Sequence, residues 1–384
     1  MKILILSEDF PPNIGGIVQW AMGVAKSLSK AGHTVTLMTR YFPKYGKIKL
    51  SNVNFEVIYI DKKYWKKLMS YYWNTSLKSH LESNQKPSII IATTWNCARG
   101  VVNYCMKSMI PLIAVAHGLD VTRKMTYLKK FWLRYTLTRS NYIIAVSRFT
   151  KNYLSAKLGI PSKKIYVFPN GVDINKFYPK VEKEYLHKHH LEGCKVILTL
   201  SRVIERKGHD AVIKALPQVI RKIQNVRYLI CGPWHEKYYL LLRKLINQLK
   251  LKKYVIFTNK LSDEELNIYY NLADVYIMPS RYDKKTGDSE GFGITYLEAN
   301  ACEKPVIGGR SGGVEDAIVD GKTGFLVNPM DIDEIANKLI LLLENSSLAN
   351  NIGRQGRSRV LKHYTWDVIT KKMEESIFLK KYEL

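Results

Sequence analysis

Nowhere in its 384 residues does the chain hold an apolar run near the roughly 20 residues that a membrane-spanning helix needs. The opening MKILILSEDF carries only a short apolar stretch before Glu8 and Asp9. That is too short for a signal peptide and reads as a buried first strand. Cysteine is scarce and scattered: Cys97, Cys105, Cys194, Cys231 and Cys302 make an odd number with no Cys-x-x-Cys pair. Free thiols buried in a reducing cytoplasm are expected, rather than disulfides or a metal centre. There is no Walker loop, no Gly-x-Gly-x-x-Gly after the first strand and no His-Glu-x-x-His. His187, His189 and His190 lack an acid or cysteine at ligand spacing and read as a solvated connector. Internal repeats and low-complexity tracts are also missing.

Acidic residues are scarce in one half. The first 180 residues hold 28 Lys and Arg against 7 Asp and Glu, whereas the remainder holds 32 against 26. Most of the formal charge of +27 therefore sits in the N-terminal half, which is expected to face an anionic surface. Two stretches fit a bilayer. In DKKYWKKLMSYYWNTSLK, residues 61–78, aromatics recur every three or four positions beside Lys62, Lys63, Lys66 and Lys67. RKMTYLKKFWLRYTLTR, residues 123–139, repeats the pattern. A basic helix with interfacial aromatics lies flat on anionic lipid, and each cation there contributes about 1 kcal/mol. The competing reading makes the aromatics core and the lysines merely solvated.

Length suggests two domains. Met1 to Ser7 reads as a strand, DFPPNIGG as a loop, Val18 to Ala31 as a helix and His33 to Thr39 as a second strand. Gly15 and Gly16 then lie at a strand's carboxyl end, where parallel sheets bind ligands and where a missing Cβ lets backbone approach closely. Further short apolar runs (Ser88 to Thr93, Pro111 to Ala116, Tyr142 to Ser147, Lys164 to Pro169) alternate with helical segments. His117 follows one of them. The second half starts the pattern again at Val196, with strands at Val226 to Cys231, Val255 to Thr258, Val275 to Met278, Pro305 to Ile307 and Phe325 to Val327. The expected fold is α/β, two doubly wound halves: residues 1–178, completed by a C-terminal helix at 367–384, and residues 179–366.

The chemistry concentrates in the second half. Arg202 and Lys207 share the loop after its first strand, so both heads can converge on one anion, a fork for two phosphate oxygens and a point charge. SEGFGITYLEANACEKPVIGGRSGG, residues 289–313, sets Glu290 before a glycine turn and Glu298 on the following helix, then returns through a second glycine loop. An acid, bare helix-start amides and a close loop suit an anionic, hydroxyl-rich ligand. Asp331-Ile332-Asp333 spells a metal-binding Asp-x-Asp, but with Glu334 following it reads as a helix cap.

PPNIGG at 11–16, HG at 117–118, PNGVDINKF at 169–177, SRVIERKG at 201–208 and EGFGITYLE at 290–298 occur in order. This series resembles the retaining glycosyltransferases of family 4, of the GT-B fold with two facing Rossmann-like domains. Within that family the 289–313 string is most similar to the phosphatidylinositol mannosyltransferases and other lipid-linked sugar transferases. The resemblance implies a nucleoside-diphosphate sugar donor, GDP-mannose or a UDP-sugar, and a lipid-linked or cell-envelope glycan acceptor. It implies that Glu298 binds the ribose, that Glu290 contacts the transferred sugar, and that the amides of Phe292, Gly293 and Ile294 hold sugar and diphosphate. Arg202 and Lys207 would neutralise the leaving diphosphate without a metal or other cofactor. His117 would face the sugar from the other domain, and Gly15-Gly16 would close on the phosphates or admit the acceptor. The polar insert RYDKKTGDS, residues 281–289, departs from the family pattern. A cytoplasmic protein docked on the inner membrane face follows from these expectations. The rivals are a nucleotide-sugar epimerase or phosphorylase of the same fold and a basic nucleic-acid-binding protein, for which no binding signature is present.

Overall fold

The computed structural model describes residues 1–11, 13, 15–41, 53–60, 65–83, 86–181 and 183–379. They divide into two compact units, Met1–Gly171 with Trp366–Leu384, and Val172–Thr365.

In the first unit β1 (Lys2–Ser7), β2 (Thr34–Arg40), β3 (Glu56–Ile60), β4 (Ile89–Ala92), β5 (Leu112–Ala116), β6 (Tyr142–Ala145) and β7 (Ile165–Val167) form one sheet in the order β3-β2-β1-β4-β5-β6-β7. Every pairing is parallel. Helices cover both faces, so the central strands are continuous apolar runs rather than alternating ones: Ile3 to Leu6 and Ile89 to Ala92 are all buried. β3 is the strand that the sequence analysis does not anticipate. It is a half-buried edge strand, EVIYI, that opens on an exposed glutamate. The direction of winding reverses at β1 and β4, which opens a crevice at their carboxyl ends.

Two features close this unit. Tyr72, Trp73 and Leu77 on the helix Trp65–Ser83 enter its core, and Gly100 of the neighbouring helix lies so near that a Cβ there would meet Trp73 Cβ at 2.5 Å. Tyr72 and Trp73 are thus core residues and not part of a bilayer-facing stripe, while Tyr71 is exposed. Residues 61–64, with Lys62 and Lys63, lie outside the described residues. The second feature is the C-terminal helix Trp366–Met373, continued by a π turn to Phe378. Trp366 fills the space that side chains at Gly23 and Gly171 would occupy, and Ser27 Oγ donates to Asp367 at 2.7 Å. His33, at the entrance to β2, lies between the N-terminal amine at 3.1 Å and Glu374 at 2.5 Å.

The second unit repeats the design with β8 (Lys195–Leu200), β9 (Val226–Cys231), β10 (Val255–Thr258), β11 (Val275–Met278), β12 (Val306–Gly309) and β13 (Gly324–Val327). Their order is β10-β9-β8-β11-β12-β13, again parallel throughout, with the reversal at β8 and β11. Its core gathers Ile197, Val212, Leu216, Ile230, Ile277 and Leu339. Among the described residues no helix is long and apolar enough to cross a membrane.

The seat of Trp366 gives a prediction of unusual sign. Glycine to alanine within a helix ordinarily adds about 1 kcal/mol. At Gly23 the new Cβ would stand 2.1 Å from a Trp366 ring carbon, and overpacking of that kind costs roughly 1–3 kcal/mol. Gly23→Ala should therefore lower the thermal unfolding midpoint; an unchanged or raised midpoint would mean that Trp366 does not hold this position.

Candidate functional site

Three neighbouring strands of the second sheet, β8, β11 and β12, deliver the site from their carboxyl ends. The loop after β8 carries Arg202 and, in a short 3-10 turn, Arg206 and Lys207. Gly208 ends that turn at φ 78, and a Cβ there would meet the Pro279 carbonyl oxygen at 2.3 Å, so only glycine lets this loop lie against the end of β11. After β11 comes the 281–289 insert, a hairpin closed by Asp283 N–H donating to the Asp288 carbonyl at 2.9 Å and tightened by Thr286 Oγ donating to the Asp283 carboxylate at 2.7 Å. It is anchored at its base. Arg281 donates its amide to the Arg206 carbonyl at 2.9 Å and grips Asp210 with both guanidinium ends, at 3.0 and 3.1 Å.

Glu290 leaves this hairpin into the middle of the site. One oxygen of its carboxylate, Oε2, accepts from Lys207 Nζ at 2.6 Å and from Arg206 at 2.8 Å. Arg206 also stands 3.0 Å from Asp288 Oδ2, an ion pair through Nε. Arg206, Lys207 and Glu290 have little contact with solvent, Arg206 being 7 % exposed. Burial alone would raise the Glu290 carboxyl, but the adjoining Lys207 and Arg206 outweigh it and hold the group well below the ordinary carboxylate range. Arg202 is exposed, close enough for its charge to act on Lys207.

Behind Glu290 the chain turns through Gly293, at φ 93, whose missing Cβ is replaced by the Tyr296 ring at 2.5 Å. The helix Ile294–Ala301 starts there, with its first amides lacking intrahelical acceptors. Phe292 contributes backbone only, since its ring is buried and stacks on Tyr364 with centroids 6.0 Å apart. Glu298 is buried and accepts from the Tyr270 hydroxyl at 2.6 Å. The loop after β12 supports the turn: Gly313 N–H donates to the Glu290 carbonyl at 2.8 Å, and a Cβ on Gly312 would meet Ser289 Oγ at 2.2 Å.

Lys207, Glu290, Phe292, Gly293, Ile294 and Glu298 thus gather on one sheet edge with Arg202 beside them. His117, Gly15 and Gly16 belong to the first unit. Gly15 and Gly16 are exposed at the start of the helix Gly16–Lys30. His117 lies at the end of β5, its Nε2 donating to the Thr93 carbonyl at 2.9 Å and its ring edge-on to Trp20. A carbonyl only accepts, so Nδ1 is left unprotonated. Asp120 takes the His117 amide at 2.8 Å and is itself pushed up to about 7 by burial.

Sequence reasoning passed over Arg206, Asp288 and Tyr270. The signal for the first two was present: Asp288 and Glu290, two residues apart, need more cation than Lys207 alone provides. The set-aside motifs stay apart in space. Asp331 caps the helix Ile332–Glu344 through the Glu334 amide at 2.9 Å, while His187 pairs with Glu192 and His189 with the Tyr269 hydroxyl. On the helix Tyr127–Arg139, Leu133 and Leu137 enter the core, whereas Tyr127, Leu128 and Phe131 remain exposed, Tyr127 at 95 %, among Lys129, Lys130 and Arg134.

Comparison with known proteins agrees with the geometry. The Glycosyltransferase Family 4 model matches residues 14–176, and the Glycosyl transferases group 1 model matches 182–359. A GDP-mannose-dependent alpha-(1-6)-phosphatidylinositol monomannoside mannosyltransferase of Mycolicibacterium smegmatis is 34% identical over 259 residues, 66% of either chain. The GDP-mannose-dependent monoacylated alpha-(1-6)-phosphatidylinositol monomannoside mannosyltransferase of Corynebacterium glutamicum is 28% identical over 97% of this chain and 96% of its own. Among solved structures, Anabaena HepE in complex with UDP superposes with a TM-score of 0.83 at 19% identity, over 99% of this chain and all of that one.

His117 gives the site a pH signature. Burial lowers its imidazole to about 4 from the ordinary 6.5. The unfolded chain therefore binds a proton between pH 6.5 and 4 that the folded chain refuses, and stability is lost as pH falls through that window. The loss amounts to about 3 kcal/mol at its lower end. Denaturant unfolding at pH 7, 5.5 and 4 should show a shallower acid loss in His117→Gln than in the wild type. Equal slopes would show that the imidazole does not resist protonation in the fold.

Proposed function

The chain belongs to glycosyltransferase family 4, and we propose that it moves mannose from GDP-mannose, with retention, to a hydroxyl of a lipid-linked acceptor at a membrane surface. The observation that carries this reading is the meeting of Lys207, Glu290 and the Gly293 helix start at one sheet edge beside exposed Arg202. The relatives' dependence on GDP-mannose favours that donor over a UDP-sugar.

In this reading the donor's diphosphate lies against Arg202, Lys207 and the amides of Phe292 to Ile294. Glu290 accepts from hydroxyls of the sugar, and Glu298 lies toward the ribose. The bond between the anomeric carbon and the β-phosphate oxygen breaks while the acceptor oxygen bonds to the same face of that carbon. The acceptor's proton passes to the departing phosphate oxygen, so the nucleoside diphosphate serves as the base of the reaction and leaves carrying that proton. Negative charge grows on the diphosphate as the bond breaks, and cations lying against it stabilise the transition state more than the ground state. Arg202 and Lys207 supply that charge without a metal ion. His117, neutral at pH 7, presents Nδ1 as an acceptor rather than a charge, and Gly15-Gly16 leave room for the acceptor at the edge of the first sheet.

Release of GDP from GDP-mannose, with mannosylated lipid as the second product, tests the reading in buffer containing EDTA. Lys207→Ala and Arg202→Ala should each lower turnover about a hundredfold or more, with the unfolding midpoint of Arg202→Ala unchanged. Wild-type turnover in either would remove that residue from the diphosphate site.

Membrane docking is carried by the helix Tyr127–Arg139, whose exposed Tyr127, Leu128 and Phe131 form an apolar patch edged by cations. In this reading the protein docks on the inner, anionic face of the cytoplasmic membrane. Tyr127→Ser, Leu128→Ser and Phe131→Ser combined should abolish sedimentation with phosphatidylglycerol-containing vesicles and leave GDP binding intact. Undiminished sedimentation would exclude this helix as the membrane contact.

A further inference from the structure

We propose that Arg206 is a positioning residue: by pairing with Glu290 and Asp288 it allows Lys207 to turn from Glu290 to the diphosphate of the donor. The inference rests on the reading that Lys207 meets that diphosphate.

Lys207 is committed to Glu290. Its ammonium and the Arg206 guanidinium bond the same oxygen of Glu290, at 2.6 and 2.8 Å. A buried carboxylate stripped of its only cation is strongly disfavoured. Were Lys207 that only cation, a diphosphate would have to compete with Glu290 for it, and each gain in donor binding would leave an orphaned acid behind. Arg206 removes the conflict, because Glu290 keeps a buried partner after Lys207 has moved.

The residue type matters. The guanidinium spans two carboxylates at once, Asp288 at 3.0 Å through Nε and Glu290 at 2.8 Å through the other end. A lysine, as a point charge, reaches one. The insert acquires a role in the same way. Its last acid, Asp288, fixes the guanidinium plane, and its first residue, Arg281, binds the Arg206 carbonyl and Asp210. The hairpin is a brace for Arg206. Two cations and two carboxylates balance within the cluster, and Arg202 remains over for the ligand.

The test reads affinity for GDP and UDP, using whichever the wild type binds more tightly. Arg206→Met should weaken binding at least tenfold. Adding Glu290→Gln, which removes the competitor for Lys207, should restore affinity to within about threefold of the wild type. Adding Asp288→Asn instead restores the same net charge but leaves Glu290 holding Lys207, so binding should stay weak. Wild-type affinity in Arg206→Met, or equal rescue by the two second changes, overturns the inference. If Arg206→Met does not unfold cooperatively, Arg206→Lys takes its place with the same expected order. Lys207→Ala separates the two levels of the argument. If it binds the nucleotide as the wild type does, or if the wild type binds neither, the diphosphate reading itself fails. If it binds weakly but Glu290→Gln gives no rescue, the Arg206 inference alone fails.

Discussion

A carboxylate taken out of water must be met by charge, and the second unit is arranged to meet that demand at Glu290. Two cations from one short turn converge on a single oxygen. For the turn to reach it, Gly208 must pass close to the end of β11, and for the carboxylate to stay there, the Gly312-Gly313 loop must hold its backbone from behind. Removing one partner of a buried pair costs roughly 3–5 kcal/mol. The arrangement thus resists local rearrangement and presents the Gly293 helix start in one orientation. Three loops from three strands are constrained by one ionised group.

That constraint works because the sheets deliver their loops to a common edge. In a parallel sheet every strand ends on the same side, and reversal of the winding at β8 and β11 parts the loops there. The first unit repeats the geometry at β1 and β4, but its edge is built differently. The His117 ring is held by the Thr93 carbonyl and its amide by the Asp120 side chain, and burial keeps the imidazole neutral. At these two edges one unit thus fixes a charge and the other holds a neutral ring.

The sequence made much of this legible, and the exceptions share a cause. Buried parallel strands are continuous apolar runs, so β4, β5 and β11 can be read from pattern alone, and the GT-B family follows from the ordered motifs. β3 is the exception among the strands: Val57 to Ile60 is an apolar run as long as that of β4, but it follows the exposed Glu56 and lies half-buried at the sheet edge. Tyr72 and Trp73 show a deeper limit: aromatic spacing on a helix indicates a face, yet a protein core and a bilayer interface accept the same residues. What decides is Gly100, whose bare Cα admits Trp73, and that contact crosses many residues of chain. Arg206 was missed for the converse reason. Nothing local to the residue marks it as buried, and only the return of the chain through Asp288 and Glu290 shows that it is. Tyr270, bonded to Glu298, likewise has no local signal.

The charge distribution separates two uses of basic residues. The first 180 residues carry an excess of cations with few acids to offset it, whereas the rest of the chain is nearly balanced. In the balanced part a cation acts at contact distance, since neighbouring acids cancel its field beyond about one Debye length, roughly 8–10 Å. Lys207 and Arg206 are of this kind, useful through where they point. In the unbalanced part the cations add to a field that reaches past individual side chains, which suits attraction to an anionic surface and demands no fixed partner. The exposed face of the helix Tyr127–Arg139 combines that field with apolar side chains able to enter an interface. Contact pairing at Glu290 and a field over the first half thus draw on the same residue types under opposite conditions, one needing acids at contact distance and the other needing few of them.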